Sequence, residues 1–253
     1  MKTEPRTFQN RNGVPLSARM DLPSQGKPVA AVLFAHCFTC SKNLGIAVHL
    51  SKALTDAGYG VFRFDFTGLG ESGGDFAGTG FISHVEDVLD AARFMEGEGH
   101  APALLVGHSL GGAAVLQAAR SVASCRAVAV IGAPYSPHHV TRLFAGAWKA
   151  IERNGVAEID LGGRRIRIGR PFLERFNEEE MPTNLARLGR ALLILHSPAD
   201  QVVGMANAER IFKAARHPKS FISLDAADHL LSSKEDAQYA GRVIAAWAQR
   251  YVK

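Results

Sequence analysis

The chain has 253 residues, of which 47% are hydrophobic and 21% charged, with a formal net charge of +5, and these values fit one packed domain over residues 1–253. No apolar run approaches the roughly 20 residues of a membrane-spanning helix, and no apolar signal core follows Met1, so we expect a cytoplasmic protein with no membrane partner. The basic residues are mostly interleaved with acidic ones, which argues against nucleic acid as a partner, and the three cysteines argue against a disulfide scaffold.

Short apolar runs alternate with amphipathic stretches along most of the chain. The runs are nearly continuous, which is typical of strands buried on both faces of a parallel sheet. They occupy residues 29–35, 60–64, 103–106, 127–131 and 191–195, with a last strand at 220–224, and helices are predicted at 44–57, 82–96, 110–122, 205–215 and 234–251. This alternation predicts an α/β fold, with helices on both faces of a mostly parallel central sheet.

Two parts of the chain depart from this alternation. Residues 7–9 and 14–20 alternate polar and apolar side chains around an Asn-Gly pair, which predicts an antiparallel hairpin at one sheet edge. The pattern changes again between about residues 135 and 188. There, a helix is predicted at 143–151 and two strands at 157–161 and 164–168, around Gly162 and Gly163. We interpret this segment as an inserted cap over the strand ends.

Gly107–Gly111 reads Gly-His-Ser-Leu-Gly and lies between a buried strand and a helix. A serine in this context is typical of a nucleophile elbow, a turn so sharp that the hydroxyl projects above the sheet. Glycines are expected on either side because a β-carbon there would collide with the neighbouring strand or helix. Ser109 is therefore the candidate nucleophile.

A serine hydroxyl needs a base to take its proton, and after such an elbow the acid and then the histidine follow in the chain. His229 lies between the last predicted strand and the last helix, which makes it the candidate base. Asp200 follows the strand at 191–195 and is the candidate acid, with Asp225 as the alternative. His196 ends that strand and is interpreted as a structural hydrogen-bonding group.

Acyl transfer also needs backbone N–H donors for the developing oxyanion. Leu110 is one candidate, because it follows the serine at a helix N-terminus, where unpaired amides and the helix dipole favour negative charge. A second donor is expected from the loop after the first buried strand, residues 36–41.

With these residues, the chain resembles the α/β-hydrolases over essentially its whole length. The matching elements are the His36-Cys37-Phe38 loop, the Asp65–Ser72 turn, Gly107–Gly111, Asp200 and His229. More narrowly, residues 34–42 resemble the hydrolase half of bacterial proteins in which this domain is joined to an OsmC-type peroxiredoxin domain, although no such second domain is expected in these 253 residues. The resemblance implies that Phe38 supplies the second oxyanion amide.

Two motifs of the early loops have competing interpretations. Asp65–Ser72 is interpreted as a structural turn, because it lacks the Gly-Lys-Ser/Thr ending of a phosphate loop.

Cys37 stands where many relatives carry glycine, and with Cys40 it forms a Cys-x-x-Cys motif. We favour two reduced structural thiols over a redox switch or redox catalysis, because the helix begins only at residue 44. A disulfide here is expected to distort the Phe38 amide and lower activity.

We expect a carboxylesterase for short to medium acyl chains, acting through an acyl-enzyme on Ser109, with Cys37, Phe38 and His108 binding the substrate. The alternatives are a thioesterase or acyltransferase on the same triad, or a redox-regulated protein that uses Cys37 and Cys40. No His-Glu-x-x-His or zinc-type spacing occurs, so no metal or cofactor is expected. The expected partner is a small-molecule ester, and the sequence is compatible with a homodimer.

The predicted cap contains residues that invite a substrate-binding interpretation. Each of its large aromatic residues is a candidate for the acyl site, but each is better explained as cap core: Phe144, Trp148, Phe172 and Phe176. The arginines between residues 164 and 170 are interpreted as a solvated hairpin face rather than an anion site.

Overall fold

The computed structural model describes residues 1–161, 163–173 and 181–252. Its strands are β1 (Lys2–Gln9), β2 (Pro15–Leu22), β3 (Ala31–Ala35), β4 (Gly60–Phe64), β5 (Pro102–His108), β6 (Ala127–Ile131), β7 (Val156–Leu161), β8 (Arg164–Gly169), β9 (Ala191–His196) and β10 (Lys219–Ser223). Eight of them form one sheet in the order β1-β2-β4-β3-β5-β6-β9-β10, with every pair from β4 to β10 parallel.

Helices cover both faces of this sheet. They are α1 (Gly45–Asp56), α2 (Phe81–Gly97), α3 (Leu110–Ala118), α4 (Trp148–Asn154), α5 (Met181–Ala186), α6 (Ala206–Ala214) and α7 (Lys234–Ala248). The first and last of these pack on one face, whereas α2, α3 and α6 pack on the other. The predicted α/β fold is therefore confirmed. Within the described residues, no helix has the length and apolar character needed to span a membrane.

The central strand β3 shows why its sequence is continuously apolar. Val32 and Phe34 pack beneath α1 and α7, whereas Leu33 and Ala35 belong to the core on the opposite face. Successive side chains of a strand point to opposite faces, so a strand covered on both sides needs an apolar residue at every position.

The N-terminal hairpin is confirmed but is longer than predicted. β1 pairs antiparallel with β2 from Lys2 opposite Leu22 to Gln9 opposite Pro15, and β2 pairs antiparallel with β4. The outer half of β1 is rich in polar residues that stay largely exposed, so its side chains carried no apolar alternation to predict a strand. Backbone pairing with β2 holds it in the sheet.

The segment between β6 and β9 carries its own small elements. β7 and β8 form the predicted antiparallel hairpin, although Gly162 of its turn lies outside the described residues. The helix predicted at 143–151 is instead a 3₁₀ segment, Pro137–Ala147, followed by α4. Phe144 has non-helical backbone angles and is buried with its ring near that of Phe38, so inward packing accounts for the break.

A buried ion pair joins the loop after β3 to the turn after β4. The Lys42 ammonium lies 2.6 Å from the Asp65 carboxylate, and neither side chain is exposed. The other Asp65 oxygen accepts the Lys42 backbone N–H, and the Glu71 N–H donates to the same carboxylate. The Ser72 hydroxyl donates to the Asp65 carbonyl. The Asp65–Ser72 turn therefore has a structural role, as its sequence indicated.

Lys42→Met should destabilise the fold strongly, because it leaves the Asp65 carboxylate buried without its ammonium partner. We expect the free energy of unfolding to fall by about 3 kcal/mol, the low end for breaking a buried ion pair. Urea unfolding measures this change. The control is Lys52→Met, which removes an exposed pair with Asp56 and should cost less than about 1 kcal/mol. Equal losses of unfolding free energy in the two variants would contradict the assignment of Lys42–Asp65 as a stabilising buried ion pair.

Candidate active site

Ser109 lies at the sharp turn between β5 and α3. Its backbone angles are φ 53° and ψ −123°, a conformation that residues with a side chain rarely adopt, and its N–H donates to the Ile131 carbonyl at 2.8 Å. A β-carbon at Gly107 would lie 2.4 Å from the Gly111 carbonyl oxygen, and one at Gly111 would lie 2.3 Å from that of His36. The glycines therefore permit the close packing that forces the serine outward.

Ser109, His229 and Asp200 form one continuous chain of hydrogen bonds. The Ser109 hydroxyl lies 3.0 Å from His229 Nε2, and His229 Nδ1 lies 2.7 Å from Asp200 Oδ2. A carboxylate only accepts, so Nδ1 carries the proton and Nε2 is left to accept from the serine. All three side chains are largely buried. The structure thus brings together the three residues that the chain order predicted.

The loop after β9 keeps the Asp200 carboxylate ionised. Burial alone would raise its pKa, but hydrogen bonds from His229 and from the backbone N–H groups of Val202 and Val203 hold the pKa of Asp200 below its ordinary value. The two backbone amides occupy Oδ1, which leaves Oδ2 for the imidazole. Asp200 therefore carries a fixed negative charge directly behind His229.

The other acid and histidine near this loop have different partners. Asp225, the alternative acid, is exposed, and its carbonyl accepts from the Ser197 hydroxyl. His196 is buried, and its Nε2 lies 2.6 Å from the Val203 carbonyl, so it helps to hold the loop that carries Asp200. This contact agrees with the structural hydrogen-bonding role that the sequence predicted for His196.

His108 does not line the cavity beside Ser109, so the substrate-binding role expected for it is wrong. Its side chain is wholly buried, and its Nε2–H donates to the backbone carbonyl of His229 at 2.7 Å. Burial lowers the pKa of His108 to about 3, so the ring is neutral. The residue before the nucleophile thus ties the elbow to the loop that carries the base.

The candidate oxyanion donors are two backbone amides on adjacent loops. Within the described part of the chain, the N–H groups of Phe38 and Leu110 donate to no other protein group. The Phe38 ring is buried against Phe76, Phe144 and Phe172, with ring centroids 5.8, 6.1 and 5.2 Å away. This aromatic packing anchors the loop while leaving its amide unpaired.

Cys37 and Cys40 are joined by a disulfide, so the preference for reduced thiols is wrong for this structure. The bridge closes a tight turn in which the Cys40 N–H donates to the Cys37 carbonyl, with Thr39 at φ 59°. The amide of Phe38, inside this turn, has no protein partner among the described residues. An amide left free to donate gives no support to the distortion that was expected from a disulfide here. Cys125, by contrast, is a free buried thiol.

A largely apolar cavity of about 310 Å³ opens above Ser109 and His229. All four residues of the turn from Cys37 to Cys40 form one wall, and the facing side chains are His139, Val140, Leu143, Val202, Val203 and Leu230. The cavity therefore suits an uncharged, largely apolar group.

Among the described residues, no cluster of three or more His, Cys, Asp or Glu has the arrangement of a metal site.

Three of the predicted cap aromatics are described, and they lie around this cavity rather than in its wall. Phe144 and Phe172 pack on Phe38, and the Trp148 ring packs on His138. Phe176 lies outside the described residues. Arg165 and Arg167, on the β8 hairpin, are exposed and approach Glu158 and Asp75.

Sequence reasoning missed Gly132, which follows β6. It has φ 54°, and a β-carbon there would lie 3.3 Å from Asp200 Oδ2 and 3.4 Å from His229 Nδ1. A side chain at this position would therefore crowd the Asp–His pair. The only local signal was a glycine followed by Ala-Pro after a buried strand, which equally describes an ordinary turn.

Comparisons with known proteins identify the family and the fold. The model of the alpha/beta hydrolase family matches residues 32–253. The crystal structure of an esterase domain from a Rhodothermus marinus protein is 47% identical, covers 100% of both chains and has a TM-score of 0.81. The esterase Est1E from Butyrivibrio proteoclasticus, solved with ferulic acid, is 18% identical over 97% of this chain and 99% of its own, with a TM-score of 0.76, which shows the fold alone.

A curated relative is the uncharacterized protein YfhR of Salmonella typhimurium. It is 24% identical over 230 residues, which are 90% of this chain and 75% of that protein.

His108→Ala should lower Tm by about 5 °C. It leaves the buried His229 carbonyl without its donor, which costs about 1–3 kcal/mol, and each kcal/mol shifts Tm by about 2–4 °C at this size. His108→Gln should retain most of the stability, since an amide can donate in place of Nε2–H. Calorimetry of both variants, with His100→Ala at a half-buried turn as control, tests this; a Gln variant as unstable as the Ala variant would refute it.

Proposed function

Because the chain belongs to the alpha/beta hydrolase family, we propose that it is a serine esterase that cleaves carboxylic esters of short to medium acyl chains. The observation that carries this proposal is the hydrogen-bonded chain from Ser109 through His229 to Asp200, opening onto an apolar cavity. The esterase domain that is 47% identical supports the reaction class.

In the proposed mechanism, the Ser109 hydroxyl attacks the ester carbonyl while His229 Nε2 takes its proton. The imidazolium that forms is stabilised by the ionised Asp200 carboxylate at Nδ1. His229 then returns the proton to the departing alkoxide, which leaves the acyl group on Ser109. Water, deprotonated by the same imidazole, attacks this acyl-enzyme. The imidazolium then returns the proton to the departing Ser109 oxygen as the carboxylic acid is released.

The negative charge of each tetrahedral intermediate falls on the former carbonyl oxygen. We propose that the N–H groups of Phe38 and Leu110 bind it, because both are unpaired within the described residues and Leu110 begins a helix. Such donors act best when they are held in place before the reaction. The Phe38 ring packing and the Lys42–Asp65 ion pair provide that rigidity on one side.

The acyl group is proposed to occupy the apolar cavity next to Cys37 and Phe38. Its volume of about 310 Å³ is at the small end for ligand sites, which favours short to medium chains. Val140 and Leu143 come from the segment between β6 and β9. We therefore propose that residues 135–188 act as a cap on a single domain of residues 1–253.

Ser109→Ala should abolish ester hydrolysis, because no other group can form the acyl-enzyme. We expect kcat/KM for p-nitrophenyl butyrate to fall by at least about 10⁴-fold, as when a triad serine is removed. A series of p-nitrophenyl esters of increasing chain length should show the highest kcat/KM at short to medium chains.

Ser124→Ala is the matched control, since its hydroxyl bonds the Pro102 carbonyl and is not part of the cavity wall. It should retain wild-type rates. A fluorophosphonate should form a covalent adduct with wild type and not with Ser109→Ala. Hydrolysis that survives in Ser109→Ala would refute the assignment of Ser109 as the nucleophile.

We further propose that the Cys37–Cys40 disulfide makes this esterase redox-dependent, with the oxidised form the more active. The bridge closes the wall that contains the proposed Phe38 donor. Its reduction by a dithiol gives two thiols and oxidises the reductant to a disulfide. The turn then loses its covalent closure, and the Phe38 amide is held only by ring packing and by the hydrogen bond from the Cys40 N–H to the Cys37 carbonyl.

Reduction with dithiothreitol should lower kcat/KM for p-nitrophenyl butyrate. It should also lower the free energy of unfolding by about 2 kcal/mol, the chain-entropy value for so short a loop. Mass spectrometry confirms the redox state in each assay. The double variant Cys37→Ser, Cys40→Ser should match the reduced enzyme and ignore the reductant. Equal rates for confirmed oxidised and reduced enzyme would overturn the proposal.

A further inference from the structure

We propose that a second cavity beside the ester site binds an anionic group of the substrate, so that the preferred esters carry a carboxylate or phosphate away from the reacting carbonyl. This inference rests on the proposed esterase function and goes beyond it. It concerns a cavity between the 3₁₀ segment Pro137–Ala147 and the start of α6, which takes no part in the triad or the oxyanion donors.

The second cavity is lined mainly by polar residues, two of which are arginines. Its volume is about 510 Å³, and its wall consists of Ser136, His138, His139, Thr141, Arg142, Gly204, Ala206, Asn207 and Arg210. None of these residues is acidic. Arg142 and Arg210 therefore present two permanent positive charges to the same space, because a guanidinium stays protonated at any physiological pH.

Neither guanidinium has a counter-charge in the described part of the chain. Arg142 and Arg210 are both exposed and form no ion pair there. Arg210 is held by the ring of Tyr135, with 3.9 Å from its guanidinium carbon to the ring centroid. An oxyanion would neutralise this charge, and the fork of N–H donors on arginine matches carboxylate and phosphate geometry.

The second cavity adjoins the one above Ser109. His139 contributes to the wall of both, and its Nε2–H donates to the Val202 carbonyl at 2.7 Å. Val202 and Val203 line the apolar cavity, and the next residue, Gly204, lines the basic one. A ligand that starts at Ser109 and follows this loop passes from apolar to basic surroundings.

The substrate that fits this order has an ester carbonyl, a short apolar spacer and an anionic end. Two probe pairs distinguish which side of the ester carries the anion. Mono-p-nitrophenyl glutarate, compared with p-nitrophenyl pentanoate, has its carboxylate on the acyl side. 4-Acetoxybenzoate, compared with 4-acetoxybenzamide, has it on the leaving group. Inorganic phosphate as a competitive inhibitor reports whether phosphate is accepted.

The measured quantity is the ratio of kcat/KM for the anionic probe to that for its neutral partner. We expect wild type to favour the anionic probe in one pair. Arg142→Gln and Arg210→Gln should each lower that ratio by about threefold, and the double variant by about tenfold, because exposed charge contacts are individually weak. Hydrolysis of the neutral probe should change little. Arg120→Gln, an exposed arginine at the far end of α3, is the matched control.

Failure of this inference is separable from failure of the esterase assignment. If wild type hydrolyses neutral probes without preferring either anion, or if Arg120→Gln lowers the ratio as much as the cavity variants, the anion site is overturned. If no probe is hydrolysed, calorimetric titrations of Ser109→Ala with mono-p-nitrophenyl glutarate and with 4-acetoxybenzoate decide independently of catalysis. Saturable binding that weakens in the arginine double variant supports the site, and its absence overturns it.

Discussion

The parallel alignment of the central strands is the constraint on which the candidate site depends. Parallel strands end at the same edge of a sheet, so the loops that follow them are neighbours in space. The loop with the proposed oxyanion donor Phe38 follows β3, Ser109 follows β5, Gly132 follows β6, Asp200 follows β9, and His229 lies in the loop after β10. Residues separated by 120 positions therefore share a hydrogen bond without any long excursion of the chain.

Two buried aspartates show how the same side chain is given different tasks by its partners. Asp65 is matched by the Lys42 ammonium and by backbone amides, so its charge is neutralised locally and fixes a loop. Asp200 is matched by two backbone amides and the His229 imidazole, with His196 Nε2 3.8 Å away, and no lysine or arginine pairs with it among the described residues. The first arrangement stabilises the resting protein, whereas the second suits the imidazolium charge that the proposed mechanism creates only during the reaction.

Local patterns in the sequence predicted the fold, and they singled out three candidate site residues that the structure joins by hydrogen bonds. Continuous apolar runs predicted the buried strands, and the order of serine, acid and histidine singled out Ser109, Asp200 and His229. What the sequence did not reveal depends on contacts between distant segments. The donor from His108 to the His229 carbonyl and the close approach of Gly132 to Asp200 exist only once β5, β6 and β9 lie side by side. The Cys37–Cys40 bridge depends on the oxidation state, which residue spacing does not encode.

The backbone conformation of Ser109 sets stability against function at that position. A positive φ costs a residue with a β-carbon about 1 kcal/mol or more, whereas glycine adopts it freely. Glycine at position 109 would relieve the fold of this strain and at the same time remove the hydroxyl. Selection for stability alone would therefore favour glycine at position 109 and the loss of the candidate nucleophile. A serine at so strained a turn is what selection for chemistry would leave behind.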